Sequence, residues 1–258
     1  MRQSDLNIIR ALPLFRAITT TSFKEIAKNA TLQRFPQRTV LTKEGDFPDF
    51  LYIPIEGSVD VFCTHNGHET TVDIVQPVAA CFLDAVIRNN VCLASGRTLG
   101  PAHIVLIPAR TVRDLFARDI AFVGAVMREL AASYSNATRL LKNEKLRTGT
   151  ERLANWILKA GLRPNRRRAV KLPFEKHTLA SILGMTPETL SRSFARLAKY
   201  GVKTSGRHIF IEDRRALSSF AKPAAAMDAP DPSICTRDRR MQKARGSRKR
   251  LNPGLRAS

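Results

Sequence analysis

Acidic residues are scarce in this 258-residue chain, where 22 Asp and Glu stand against 43 Lys and Arg for a formal net charge of +21. A deficit of that size calls for an anionic partner. Cysteine is scarce too. Cys63, Cys81, Cys92 and Cys235 have no C-x-x-C spacing, which argues against a zinc site, and a reducing compartment leaves them as free thiols. No stretch approaches 18 uncharged apolar residues, so no membrane-spanning helix is expected. The opening MRQSDLNIIRALPLF lacks the apolar core and small-residue cleavage site of a signal peptide, so a cytoplasmic location is expected. G-x-S-x-G, H-E-x-x-H and phosphate-cradling glycine loops are all missing, which leaves no signature of an enzyme.

The charge that is present is unevenly placed. Residues 1–141 hold 15 basic and 13 acidic side chains, residues 142–221 hold 18 and 6, and the remainder holds 10 and 3. A nearly neutral half followed by a basic half is the layout of a sensing or assembly unit joined to a nucleic-acid-binding unit. From Lys222 onward the composition is Ala/Pro and then Arg/Lys, with almost no large apolar residues. Residues 222–258 are therefore expected to be a disordered basic tail.

Hydrophobic periodicity divides the chain further and predicts an α+β fold. Residues 4–30 carry helix-like patches, with Ser22 or Thr21 as the expected N-cap before FKEIAKNA. From Leu32 to about Ile107, short β-rich runs alternate with turn residues, and Asn66-Gly67 is a strong hairpin signal. Such spacing indicates a small antiparallel barrel or sandwich, and residues 1–118 form the first domain. Beyond Asp119 the period becomes helical. Ile120, Val123, Met127, Leu130, Tyr134, Ala137 and Leu141 repeat at spacings of 3 and 4, the seam of a helix that pairs with its own copy. An amphipathic helix packed on its own domain is the competing reading of residues 119–146.

Residues 147–221 form the third unit. GTERLANWILKAG reads as a helix, residues 163–168 as a basic loop and Ala169 to Leu172 as a short strand. In EKHTLASILGMTPETLSRSFARLAKY one helix buries Leu179, Ala180 and Leu183, and Gly184 ends it. Thr186 then caps a second helix with Pro187 in its first position, where a missing N–H costs nothing. That helix buries Leu190, Phe194 and Leu197 and shows Glu188, Ser191, Arg192 and Ala195 to solvent. Two short helices with a glycine turn, over about 176–195, match the unit that enters a DNA major groove. Glu188 can accept from a cytosine amino group and Arg192 can bond guanine bidentately, although an i,i+4 Glu/Arg pair is also common on solvated helices. KTSGRHIFI, 203–211, reads as a hairpin wing whose Arg207 reaches a phosphate. The competing function is a basic architectural protein that binds nucleic acid without reading sequence. It would lose affinity for all duplexes together as salt rises.

GMTPETLSR resembles the recognition-helix motif of the CRP/FNR regulators. The resemblance implies a cyclic-nucleotide-binding-like β-roll, a long dimerisation helix and a C-terminal winged helix-turn-helix, extending to about Phe220. It implies a homodimer on palindromic double-stranded DNA that works with RNA polymerase. In the FNR-like branch the half-site is contacted through E-x-x-S-R, which falls on Glu188, Ser191 and Arg192, with Thr186 and Thr189 beside them. Pro187 stands where CRP has a base-contacting Arg, which argues against a CRP-type half-site. The family holds a cyclic nucleotide with a G-E pair and, further along, an R-S or R-T pair; VQPVAACFLDAVIRNNVCLASGRTL lacks the G-E pair, and the R-S position falls near Cys92-Leu93. Cyclic AMP is therefore not expected to bind. No cysteine precedes Cys63, which argues against an FNR-type iron-sulfur cluster. Haem or nitric oxide sensing through His65, His68, His103, Cys81 or Cys92 stays open, and the effector is unknown.

Overall fold

FLYIPIE and AHIVLIP, the two most continuous apolar runs in the first half, become strands β3 (Phe50–Glu56) and β7 (Ala102–Pro108). With β1 (Thr31–Phe35) they form an antiparallel three-stranded sheet in the order β1-β7-β3. Strands β3 and β7 are buried on both faces, unlike strands of a half-solvated sheet, and that is why they lack alternation, whereas edge strand β1 stays exposed at Thr31, Gln33 and Arg34. Leu51, Ile53, Val105 and Ile107 pack against α1 (Gln3–Arg10), α2 (Thr20–Asn29), α3 (Leu83–Arg88), α4 (Ala109–Arg118) and the start of α5 (Ile120–Leu146). Tyr52, Ile104 and Leu106 face a second cluster with Val59 and Cys81. That cluster lies inside the roll closed by β2 (Val40–Thr42), β4 (Val59–His65), β5 (His68–Val75) and β6 (Ser95–Thr98), ordered β2-β6-β4-β5. Asn66 and Gly67 both have positive φ, 51° and 76°, and turn β4 into β5 as a two-residue hairpin.

The computed structural model describes residues 2–161 and 169–228. The basic run 163–168, Cys235 and the expected tail beyond 228 lie outside the described residues. Two sequence expectations need correction. The N-cap of α2 is Thr19, whose side chain accepts from the Ser22 N–H, so Ser22 and Thr21 lie inside the helix. The segment from Lys222 to Asp228 is structured. Residues Ala225–Asp228 form a short helix, α10, whose Asp228 carboxylate receives both Nη atoms of Arg147 at 2.8 and 2.6 Å.

The seam expected along α5 splits between two surroundings. Ile120, Met127, Tyr134 and Leu141, each seven residues apart, are 84%, 59%, 76% and 56% exposed, and Ala137 is exposed with them. Val123 and Leu130 are half-buried, and Leu130 packs on the N-terminal core. The face that α5 turns to its own domain carries Phe122, Ala125, Val126 and Glu129. The competing reading therefore describes one face of the helix, and the apolar stripe lies on another.

The third cluster organises the C-terminal unit, where Leu153 and Ile157 of α6 (Gly149–Ala160) meet Leu179, Leu190, Leu197, Ile209 and Leu217. Around this core stand β8 (Ala169–Lys171), α7 (Lys176–Ile182), α8 (Pro187–Leu197), β9 (Val202–Ser205), β10 (His208–Ile211) and α9 (Arg214–Ala221), with strands ordered β8-β10-β9.

One carboxylate joins the N-terminal helices. Asp119 Oδ1 accepts from the Ala121 and Phe122 N–H groups at 3.0 and 3.1 Å, capping α5, and Oδ2 accepts from the Thr19 N–H at 3.1 Å. Burial would raise its pKa, but hydrogen bonds from Ser22, Thr19 and Phe122 outweigh that and hold it below the ordinary carboxyl value. Asp119→Ala is expected to cost about 2 kcal/mol at pH 7, the upper end for an N-cap, measured by chemical denaturation. Because the folded-state pKa is lowered, this contribution is present above the unfolded value of about 3.9 and is lost as pH falls through the folded value. The wild-type and alanine proteins should therefore converge in stability at acid pH.

Candidate nucleic-acid interface

Helix α7 ends where a side chain with a Cβ would be strained. Gly184 has φ +59°, and the Gly184 and Met185 N–H groups bond back to Ser181 O and Ala180 O at 3.0 Å each, a Schellman closure. Two residues later Thr186 Oγ1 accepts from the Thr189 N–H at 3.2 Å and starts α8, with Pro187 in its first turn. Leu190 and Leu197 are buried and Phe194 is half-buried, as the 3.6-residue period requires. Ser193 was not anticipated as a buried residue. Its hydroxyl lies 3.2 Å from that of Thr150, tying α8 to α6.

The opposite face of α8 is open. Thr186, Glu188, Thr189, Ser191, Arg192 and Arg196 are all exposed. Ser191 Oγ donates to Pro187 O at 3.0 Å and keeps its lone pairs outward. The Glu188 carboxyl is held below its ordinary value by a hydrogen bond from Thr186, and Arg192, one turn on, adds to this. Glu188 is therefore ionised near neutrality and can only accept hydrogen bonds. Lys176, Lys199, Lys203 and Arg207 are exposed around this face, and Lys203 also pairs with Glu212 at 2.9 Å.

The wing is present, with Ser205 opposite His208 and the turn at Gly206-Arg207. Arg207, besides standing at its tip, borders a cleft of about 290 Å³ that faces the roll, along with Arg38, Asp60, Arg97, Glu175 and His177. The two units also touch directly, since the Thr71 N–H of β5 donates to Ser181 Oγ of α7 at 2.6 Å.

With that geometry stand two family profiles, the Crp-like helix-turn-helix domain over residues 151–220 and the cyclic nucleotide-binding domain over residues 32–119, together more than half of the chain. The chain belongs to the Crp/Fnr family of transcription regulators. An anaerobic regulatory protein of Pasteurella multocida is 26% identical to this regulator over 184 residues, 69% of this chain and 67% of the relative. Among solved structures, FixK2 of Bradyrhizobium japonicum has a TM-score of 0.65 at 18% identity, covering 76% of this chain and 99% of that one. A CRP-family transcriptional regulator of Thermus thermophilus has 0.61 at 20%, covering 74% and 97%. Both carry the same fold.

The family's N-terminal domain implies a cyclic nucleotide, and the roll of this regulator does not fit one. Phe82, held at φ +57°, lies with its ring edge over Gly96, where an added Cβ would come within 2.6 Å of Cζ. Cys92 is buried beside Thr42, with Sγ 3.6 Å from Oγ1. The Arg97-Thr98 pair further along is engaged elsewhere. Arg97 alternates with Gly96 and points out of the roll, where its fork meets Asp60 at 2.8 Å and Glu69 at 2.5 Å. Two carboxylates already neutralise that guanidinium, so a phosphate would enter the roll without a counter-ion.

The residues considered for haem are scattered. His65 and His68 are exposed on the β4-β5 hairpin, His103 is on β7, and Cys81 and Cys92 are buried. Burial raises both thiols above their ordinary value, Asp73 and Glu129 adding to it at Cys81. Among the described residues no three or more His, Cys, Asp or Glu side chains converge as a metal site would require, and no described helix is long and apolar enough to cross a membrane.

Calorimetry with cyclic AMP and cyclic GMP on the full-length protein is expected to show no binding at ligand concentrations up to about 1 mM, corresponding to less than about 4 kcal/mol of affinity. A saturable, stoichiometric heat would overturn the account of Phe82 and Arg97.

Proposed function

We propose that this regulator acts as a homodimer that reads a palindromic DNA site through Glu188, Ser191 and Arg192. The exposed, capped first two turns of α8 carry this reading, because Thr186 and Pro187 put all three side chains at the end of the helix that reaches deepest into a major groove. Arg192 offers a planar fork to guanine O6 and N7, and ionised Glu188 accepts from a cytosine N4 amino group. Thr186 and Thr189 stand at the phosphate-facing end, and Arg207 supplies a sequence-independent phosphate contact from the wing.

The stripe of Ile120, Met127, Tyr134 and Leu141 supports the dimer, since a solvated helix has no reason to keep one large apolar residue per heptad. Val123, Leu130 and Ala137 complete that interface at the alternate positions. Two copies joined along α5 present two copies of α8, matching half-sites roughly one helical turn apart. Delivery of RNA polymerase to the bound site, in the cytoplasm, completes the reading.

Titrations at matched salt, with a selected palindrome and a scrambled duplex of equal length, test the reading face. Arg192→Ala is expected to cost roughly 1 to 3 kcal/mol per half-site on the palindrome and little on the scrambled duplex. Arg207→Ala should weaken both alike. Equal losses on both duplexes for Arg192→Ala would make that residue a phosphate contact. For the dimer, Met127→Lys with Leu141→Lys places charges where two copies would meet, at positions exposed in one chain. Sedimentation should then show folded monomers, and an intact dimer would move the interface elsewhere.

A further inference from the structure

Arg152 is the fourth residue of α6, a place where a cation opposes the positive end of the helix dipole. It is nevertheless only 8% exposed. The reason lies in two other helices that end against it. Its Nε donates to Leu183 O at 2.9 Å and its Nη2 to Gly184 O at 3.3 Å, where α7 closes ahead of the recognition helix. Its Nη1 donates to Glu144 O at 3.3 Å and Arg147 O at 3.1 Å, where α5 closes, and lies 3.1 Å from the Glu144 carboxylate. One planar guanidinium thus satisfies the terminal carbonyls of two helices that would otherwise be left without donors. The Glu144 carboxylate in turn stands against Gly184, where an added Cβ would lie 3.0 Å from Oε2.

We propose that Arg152 is the positioning residue that fixes the angle between the dimer helix and the recognition helix, and thereby the half-site spacing the protein accepts. The backbone between α5 and α6 is only Arg147 and Thr148, both extended, so the chain itself leaves that angle soft. Gly184 is two residues from Thr186, the cap of α8, so a rotation of α8 about α5 strains the fork. Spacing is sensitive to such a rotation because each base pair added between half-sites turns the second by about 35° around the duplex. The proposal rests on the reading of the chain as a dimer on a palindrome.

The experiment uses the full-length protein and a set of duplexes carrying two selected half-sites, with the spacer shortened or lengthened one base pair at a time. Wild type should prefer its best spacer over the neighbouring ones by about tenfold or more, and Arg152→Met should compress that preference to about twofold. Arg152→Lys should retain part of it, because an ammonium still reaches some of the carbonyls but cannot hold the planar fork. A residue that only stabilises the fold would lower affinity for every spacer by one factor and leave the preference unchanged. That result, or a wild-type preference retained by Arg152→Met, overturns the proposal. Should Arg152→Met show no cooperative melting transition, Glu144→Gln decides. It removes only a half-exposed carboxylate from the same cluster, so a reduced spacer preference supports the role and an unchanged one overturns it. Absence of any spacer optimum in the wild type would instead reject the palindromic dimer itself, and this role with it.

Discussion

A helix C-terminus leaves carbonyls that must find donors, and the arrangement of this protein depends on how that is met where α5, α6 and α7 come together. Water could serve those groups on an exposed helix. Here one buried arginine makes four hydrogen bonds to the carbonyls at two such ends at once. The cost of burying the charge is offset by the partial negative charges of the two helix ends and by Glu144. Nearby contacts share the same task. Thr148 and Glu151 cap α6 reciprocally, Asn155 Nδ2 donates to Ala221 O at 2.7 Å, and Arg147 is held by Asp228. Arg147 thus ties the end of α5 to α10, and Arg152 ties it to α6 and α7.

The parts legible in the sequence were those governed by local rules. Asn66-Gly67 dictates its hairpin, and Gly184, Thr186 and Pro187 fix where one helix stops and the next starts, whatever surrounds them. The heptad stripe on α5 shows in the spacing alone. What escaped was decided by segments distant in the chain. Thr19 caps α2 in place of Ser22 because its own N–H is held by Asp119, 100 residues away. Arg152 looked like one more basic residue of a basic domain, and its only signal was a charge on the wrong end of a helix. Lys222 to Asp228 has the composition of a disordered segment, but one ion pair to Arg147 and contact with α5 organise its last four residues.

The sensory half shows a different division of labour between the faces of its sheets. Strands β7 and β3 are buried on both sides, so the roll and the helical layer share one wall. Phe82 adds an aromatic ring to the inner side of that roll from a backbone position with positive φ, which is uncommon for a residue with a large side chain. On the outer face, Asp60, Glu69 and Arg97 form an ion cluster beside the DNA-binding unit. Apolar filling inside and paired charge outside make the face that meets the helix-turn-helix polar, with Leu99 as an apolar contact to the C-terminal core.

Strand β5 is the outermost strand of its sheet, and its edge is covered in part by α7 through the Thr71 to Ser181 hydrogen bond. Val72 beside it is an unpaired bulge residue and half exposed. An uncovered strand edge is a template for pairing with another chain. Any movement that lifts α7 from β5 therefore exchanges an intramolecular cover for a risk of aggregation, and the irregularity at Val72 is what keeps that edge a poor template while it is bare.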